Sequence, residues 1–200
     1  MTSYGFRDGK IVSKKEINLG KRPVQYVIPY TVAYSTGAII SSWNTHTSTA
    51  AKTNTTILKK MPYPMPIVVY PLAAGTAAHA DYIKIKGYDS RGIYREEKVA
   101  VAGTAGTVQY SNYAYSKITS LKPSPAYSPE PRSTSVSIGY RPVQIGLPYK
   151  IDVAADIISQ CYGSTAATTA WTVDAYNKVT MATTAVAKVV NITYLSKLQK

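Results

Sequence analysis

The clearest signal in the chain is a regular alternation of apolar and polar positions. In Tyr82–Tyr88, the apolar residues Ile83 and Ile85 alternate with the charged residues Lys84 and Lys86. A period of two sends successive side chains to opposite faces of a β-strand. The same period recurs in residues 133–140 and 187–195. These segments predict strands with one face towards a core.

Turn-forming residues separate several of these segments. Asp89–Gly92 lies between two alternating runs and predicts a hairpin over residues 82–101, with Gly92 suited to a positive φ. A second hairpin is predicted over residues 171–181, with its turn at Asp174–Asn177. Many short strands separated by turn signals are typical of a sandwich or barrel. We therefore predict an all-β fold, an antiparallel β-sandwich or barrel.

Two segments do not follow the alternation. Met61–Pro66 carries a proline at every second position and is interpreted as an extended connector. Ile151–Tyr162 fits both a helical stripe and a strand, so at most one or two short helices are expected, within Asp152–Cys161. The connector divides the chain into an N-terminal basic arm and Ser/Thr-rich region, residues 1–60, and a β-sandwich or barrel domain, residues 61–200.

The N-terminal segment has a different character. Residues 1–30 are basic and poor in large apolar groups, and Pro23 and Pro29 favour an extended chain. Val24–Tyr34 could also pair as a strand, with Pro29 marking an edge or a break. The whole protein has 23 Lys or Arg against 10 Asp or Glu, a net charge of +13, and the first 60 residues carry much of this excess. Such a segment cannot bury enough apolar area to offset its ordering entropy. We predict an extended basic arm over residues 1–30 that becomes ordered on assembly.

The aromatic composition points to association. There are 18 tyrosines and one phenylalanine. Tyrosine combines aromatic area with a polar tip, which suits surfaces that become buried when subunits meet. The composition therefore favours a protein that works through contacts with other chains.

Residues with catalytic or metal-binding potential are few and scattered. The histidines His46 and His79 have no metal spacing, and a single cysteine excludes an internal disulfide. Glu96 and Glu97 are adjacent, so on a strand they point to opposite faces and cannot form a general acid/base pair. No signal peptide and no apolar run of membrane-spanning length are present. We predict no enzymatic activity, no cofactor, no metal and no membrane partner.

The second half of the chain carries a series of turns and strands. Its features are Gly87, Asp89 and Gly92, a return strand with Glu97 and Val99, Gly103–Thr104, Tyr115–Leu121, Ser137–Tyr140 and a Gly-Leu-Pro-Tyr segment at 146–149. This series, over roughly residues 67–195, resembles the accessory head proteins of tailed viruses, which decorate or cement a capsid. The resemblance implies a virion location, after synthesis in the host cytoplasm, and partners that are copies of the chain and other capsid proteins.

The leading hypothesis is therefore a virion structural protein, a capsid decoration or cement protein. A tail or connector component, a major coat protein and a basic nucleic-acid-binding protein are the alternatives. A cell-surface or filament protein that uses strand exchange is a further one. Nucleic acid is not the favoured partner. The predicted assembly contacts are Tyr4, Arg7, Lys14, Lys15, Tyr26, Tyr30, Tyr34, Leu147, Pro148 and Tyr149.

Overall fold

Strands make up nearly all of the regular structure in the computed structural model. It describes residues 4–7, 10–13, 20–29, 31–44, 59–72, 82–102, 104–124, 135–162, 165–166, 171–181 and 188–197. The strands of these residues are β1 (Tyr4–Arg7), β2 (Lys10–Ser13), β3 (Arg22–Ile28), β4 (Ser35–Asn44), β5 (Lys59–Pro71), β6 (Tyr82–Asp89), β7 (Tyr94–Ala100), β8 (Gln109–Pro123), β9 (Ser135–Tyr140), β10 (Gln144–Gly146), β11 (Ile157–Tyr162), β12 (Thr165–Ala166), β13 (Thr172–Val173), β14 (Lys178–Thr180) and β15 (Val190–Ser196).

All described strand pairs are antiparallel, which confirms the predicted all-β class. The largest sheet has the order β4-β9-β5-β8-β6-β7. A second sheet has the order β12-β11-β15-β3, a third has the order β10-β14-β13, and β1 pairs with β2. Ile85 of the first sheet, Ile192 of the second and Val179 of the third belong to one buried apolar cluster. The three larger sheets therefore share one core, as the layers of a sandwich do.

Both predicted hairpins are confirmed. β6 pairs with β7 from Tyr82 opposite Ala100 to Tyr88 opposite Tyr94, and Gly92 in the turn has a φ of 75°. β13 pairs with β14, and Asn177 in that turn has a φ of 64°. The ambiguous segment divides into a short 3-10 turn, Ala154–Asp156, followed by β11. Local turn chemistry was sufficient to locate these features.

The proline-rich segment is a strand, so its interpretation as a connector was wrong. Met61, Tyr63 and Met65 are buried, whereas Pro62 points to solvent. The β5–β8 register shifts between Lys60 and Met65, where the prolines lie. Proline cannot donate a ladder hydrogen bond, but an irregular stretch of a strand tolerates it. The residues at the positions between the prolines face the core, so the segment has the period of two that is typical of a strand.

The predicted boundary at residue 60 does not separate an arm from a folded domain. β3 pairs with β15 over all seven of its residues, and Ile28 is buried in the core. β4 is the outer strand of the largest sheet. Residues 22–28 and 35–44 therefore belong to the sheets, because distant strands supply the apolar surface that this region lacks. For the residues preceding β3, an arm that becomes ordered on assembly stays a prediction, and the described part of this region is the antiparallel β1–β2 hairpin.

Candidate interaction surfaces

The predicted contacts nearest the N-terminus have no described side chains. Lys14, Lys15 and Tyr30 lie outside the described residues. Tyr4 and Arg7 lie on β1, opposite Ser13 and Lys10, and only their backbone is described. Their role in assembly remains a prediction.

Tyr26 is part of the fold instead of a free contact residue. It lies opposite Ile192 and packs against the core cluster. Burial raises the pKa of Tyr26 to about 12. β15 of the same chain already covers part of the Tyr26 ring, and a role of Tyr26 as an assembly contact stays a prediction.

The Gly-Leu-Pro-Tyr segment packs against the core of its own chain. Leu147 is fully buried, so it is not an assembly contact in this fold. Pro148 is partly exposed, and Tyr149, also partly exposed, packs against the core. The backbone N–H of Tyr149 donates to the Tyr194 hydroxyl at 3.3 Å. Only Pro148 and the exposed part of Tyr149 remain available to a partner.

Asn177 holds this segment in place, a role that the sequence did not indicate. Its Nδ2 donates to the carbonyls of Leu147 at 2.9 Å and Tyr149 at 3.1 Å. Its Oδ1 accepts the backbone N–H of Ile151 at 2.9 Å. The side chain is almost completely buried. One amide therefore forms hydrogen bonds with three backbone groups, of which the Leu147 carbonyl also accepts from the Ser90 hydroxyl at 2.8 Å.

Replacing Asn177 with glycine is expected to lower the free energy of unfolding by about 3 kcal/mol, because three hydrogen bonds at a buried position are lost. Glycine keeps the positive φ, so the change isolates the hydrogen bonds. Chemical denaturation followed by tryptophan fluorescence measures the loss. The control is Gln25→Ala, which removes an exposed hydrogen bond to Asn191 and should cost about 0.5 kcal/mol. Equal losses in the two variants would contradict the prediction.

An exposed group of aromatic residues surrounds Tyr34. We call Tyr34, Tyr70, Tyr110 and Arg141 the tyrosine–arginine cluster. Tyr34 is 45% exposed and Tyr110 is 38% exposed. The Arg141 guanidinium lies 4.4 Å from the centre of the Tyr110 ring. Burial and then the neighbouring Tyr110 raise the pKa of Tyr34, while Arg141 acts in the opposite direction.

The cluster could not be assembled from the sequence. Tyr34 precedes β4, Tyr70 belongs to β5, Tyr110 belongs to β8 and Arg141 follows β9. Of these four, only Tyr34 was a predicted contact. The others were missed because the pairing of β5 with both β8 and β9 brings them together. A cation over an aromatic face in a partly exposed position is typical of interface hot spots.

A polar cleft of about 420 Å³ lies at another part of the surface. Its lining includes Arg91, Arg95, Lys150, Asp174 and Tyr176. Each of the four charged side chains named here has an opposite charge within 4 Å: both arginines have Asp89, Lys150 has Asp152 and Asp174 has Lys178. The arginine pairs lie within the β6–β7 hairpin, the Lys150 pair within the loop after β10, and the Asp174 pair within the β13–β14 hairpin. The charges of the cleft therefore have an evident structural role.

The described acidic residues all have structural partners. Asp89 accepts the backbone N–H groups of Arg91 and Ile93, and Glu97 accepts those of Asn112 and Tyr113. The other four are Glu96, Asp152, Asp156 and Asp174, and each forms an ion pair. Within the described ranges, no group of three or more histidine, cysteine, aspartate or glutamate residues is arranged to hold a metal ion.

His46 and His79 lie outside the described residues. In the part of the chain that the structure describes, no helix has the length and apolarity needed to cross a membrane. Comparisons of the chain with protein-family models, with curated proteins and with solved structures found no match. A function can therefore be inferred only from the surfaces of the chain itself.

Proposed function

We propose that this protein is a virion structural protein, a capsid decoration or cement protein, that acts through subunit–subunit contacts. The observation that supports this most is the tyrosine–arginine cluster. Two of its tyrosines are more than a third exposed and the arginine is stacked on one of them. Tyrosine and arginine are the residue types enriched in the energetically dominant parts of protein interfaces.

The geometry of the cluster suits a protein partner. Mutual contacts hold the rings of Tyr34 and Tyr110 and the Arg141 guanidinium, so little side-chain freedom remains to be lost on binding. The ring faces supply apolar area, and the phenol hydroxyls and the guanidinium supply hydrogen bonds at its margin. A second copy of the chain or a capsid protein would bury this area.

The sheet edges offer a second means of association. Among the described strands, β3 pairs only with β15, and β4 pairs only with β9. An edge strand presents unpaired N–H and C=O groups to which another chain can add a strand. Val27 on β3 is 48% exposed and would add apolar contact there. Strand addition and tyrosine contacts are compatible within one assembly.

The double variant Tyr34→Ser/Tyr110→Ser is expected to weaken assembly by at least about tenfold, because hot-spot side chains each contribute about 2 kcal/mol. The fold should persist, since both side chains are partly exposed. Sedimentation velocity across a concentration series measures self-association, and mass spectrometry of purified particles measures incorporation. The matched control is Val153→Ser/Tyr176→Ser, two exposed residues outside the cluster.

A native chain that is monomeric at every concentration and absent from particles would contradict the proposal. Equal weakening of assembly by both double variants would show that the tyrosine–arginine cluster is not the contact surface. A tail or connector component or a major coat protein could use the same contacts. Electron cryomicroscopy of the particle distinguishes these positions from that of a decoration protein.

A further inference from the structure

Lysines and tyrosines share the outer face of three neighbouring strands, β7, β6 and β8. The strand register places Lys84 between Lys98 and Lys122, Lys86 between Glu96 and Ser120, and Tyr88 between Tyr94 and Lys117. Lys60 of β5 lies opposite Lys117 and so extends the row that contains Tyr94, Tyr88 and Lys117. We call this surface the lysine–tyrosine face, and its members are Lys60, Lys84, Lys86, Lys98, Lys117, Lys122, Tyr82, Tyr88, Tyr94 and Glu96.

The face has a large excess of positive charge. It holds six lysines and one acid, Glu96, which forms ion pairs with Lys84 and Lys86. The opposite side of the same strands carries Ile83, Ile85 and Leu121, which are buried. Alternation therefore directs the lysines to solvent and the apolar residues to the core. The excess positive charge therefore lies on the solvent-facing side of these strands.

One row contains lysines only. Lys98, Lys84 and Lys122 lie directly opposite one another on adjacent strands. Neighbouring strands are about 4.8 Å apart, and like charges directly opposite each other destabilise a sheet. Only part of this charge is offset within the fold, by the Lys84–Glu96 ion pair and by the contact of Lys98 with the Tyr82 ring. A polyanion bound across the row would offset the repulsion, which favours a ligand with several closely spaced negative charges.

Aromatic rings lie at both ends of the charged rows. Tyr88 and Tyr94 are 39% and 50% exposed, with ring centres 5.6 Å apart and ring planes at 72°. Tyr82 lies at the other end, with the Lys98 ammonium 4.5 Å from its ring centre. Exposed aromatic rings on a basic sheet surface are the platform on which unpaired bases stack. Bases of a duplex are stacked on each other and cannot use such a platform.

We propose that the lysine–tyrosine face binds single-stranded nucleic acid. The lysine rows contact phosphates, and Tyr88 and Tyr94 stack on bases. Recognition is independent of sequence, because the described face offers stacking surfaces and point charges. This site is separate from the tyrosine–arginine cluster, so binding here and assembly there are tested independently.

Fluorescence anisotropy with a labelled oligodeoxythymidine of about 20 nucleotides tests the proposal at several salt concentrations. The variant Lys84→Gln/Lys98→Gln/Lys122→Gln should bind at least about tenfold more weakly. The slope of log affinity against log salt should fall in magnitude by about 2, because each phosphate contact contributes about 0.7. Its melting temperature should stay close to that of the native chain, because relief of the lysine repulsion offsets the loss of the Lys84–Glu96 ion pair and of the Lys98–Tyr82 contact.

A matched control separates the face from overall charge. Lys150→Gln/Lys188→Gln/Lys197→Gln removes the same charge from exposed positions outside the face. This variant should retain affinity within about threefold of the native chain. Equal losses in the two triple variants would overturn the assignment of the site.

A second variant tests stacking without changing charge. Tyr88→Leu/Tyr94→Leu should weaken binding by about tenfold while leaving the salt slope unchanged, since stacking releases no counterions. No binding by the native chain would overturn the proposal. Equally tight binding of a duplex of the same length, or of heparin, would also overturn it, because neither presents unpaired bases.

Discussion

Replacing Gly139 with alanine is expected to lower the free energy of unfolding by more than about 4 kcal/mol, a loss found only with severe core disruption. A Cβ atom at this position would lie 1.8 Å from the Ser35 carbonyl oxygen and 2.6 Å from the Thr36 carbonyl carbon. Both contacts are with backbone, so no side-chain rotation relieves them. Non-bonded carbon atoms approach each other to about 3.5 Å.

The close approach has an identifiable origin. Gly139 lies on β9 between β5 and β4, opposite Val68. The β4–β9 register shifts between Ser35 and Ile40, so the start of β4 crosses directly over the glycine. Alanine would separate the two strands and expose Ile138 and Trp43, which are now buried.

Denaturant titration of the purified variants measures the effect. Gly92→Ala is the control, because a Cβ there meets nothing within 4 Å although φ is 75°. Its cost should be about 1 kcal/mol, from the left-handed backbone conformation alone. A Gly139→Ala protein that unfolds within about 1 kcal/mol of the native chain would show that β4 does not cross β9 in this way.

The free energy of unfolding is expected to fall steeply as the pH rises above about 10. Burial raises the pKa of Tyr26 to about 12, and burial also raises the pKa values of Tyr115 and Tyr194. An unfolded tyrosine titrates near 10. Above that pH the unfolded chain releases phenolic protons that the folded chain retains, so deprotonation favours unfolding.

Proton linkage gives the sign and the size of this change in the free energy of unfolding. The stabilisation is fully present below about pH 10 and is lost as the pH rises towards the folded pKa values. Each phenol contributes roughly 1.4 kcal/mol per pH unit, so three contribute roughly 4 kcal/mol per unit. The contribution of Tyr26 ends near pH 12, while the other two continue beyond it.

Denaturation at about pH 9 and about pH 11 tests this expectation. Tyr26→Phe should reduce the difference between the two pH values by roughly 1 kcal/mol. Tyr94→Phe, at a position 50% exposed, should leave it unchanged and controls for lysine titration and general charge effects. The same free energy of unfolding at both pH values would contradict the assigned burial of the three phenols.

Sequence and structure agree where the controlling interactions are local. The alternation of Ile83 and Ile85 with lysines, the positive φ at Gly92 and the turn ending at Asn177 were readable because each depends on residues a few positions apart. These features were sufficient for the all-β class and for two hairpins. They also predicted that the lysines of β6 face solvent.

The candidate sites depended on contacts between distant parts of the chain. Tyr34 was predicted as a contact residue, but its cluster needs Tyr110 on β8 and Arg141 after β9, both far along the chain. Leu147 was predicted as a contact and is buried, because Asn177 draws its loop onto the core. The row of Lys98, Lys84 and Lys122 exists only through the register of β7, β6 and β8.

The sequence by itself determined the strand period, the turn positions and the basic, tyrosine-rich character of the protein. Tertiary structure alone decided that Arg22–Ile28 pairs with β15, since this partner lies more than 160 residues away in the chain. It also decided that the proline-rich segment is a strand, because Met61, Tyr63 and Met65 find a core to fill. The physical reason is that periodicity records which face of a strand is apolar, whereas the choice of neighbouring strand depends on long-range packing.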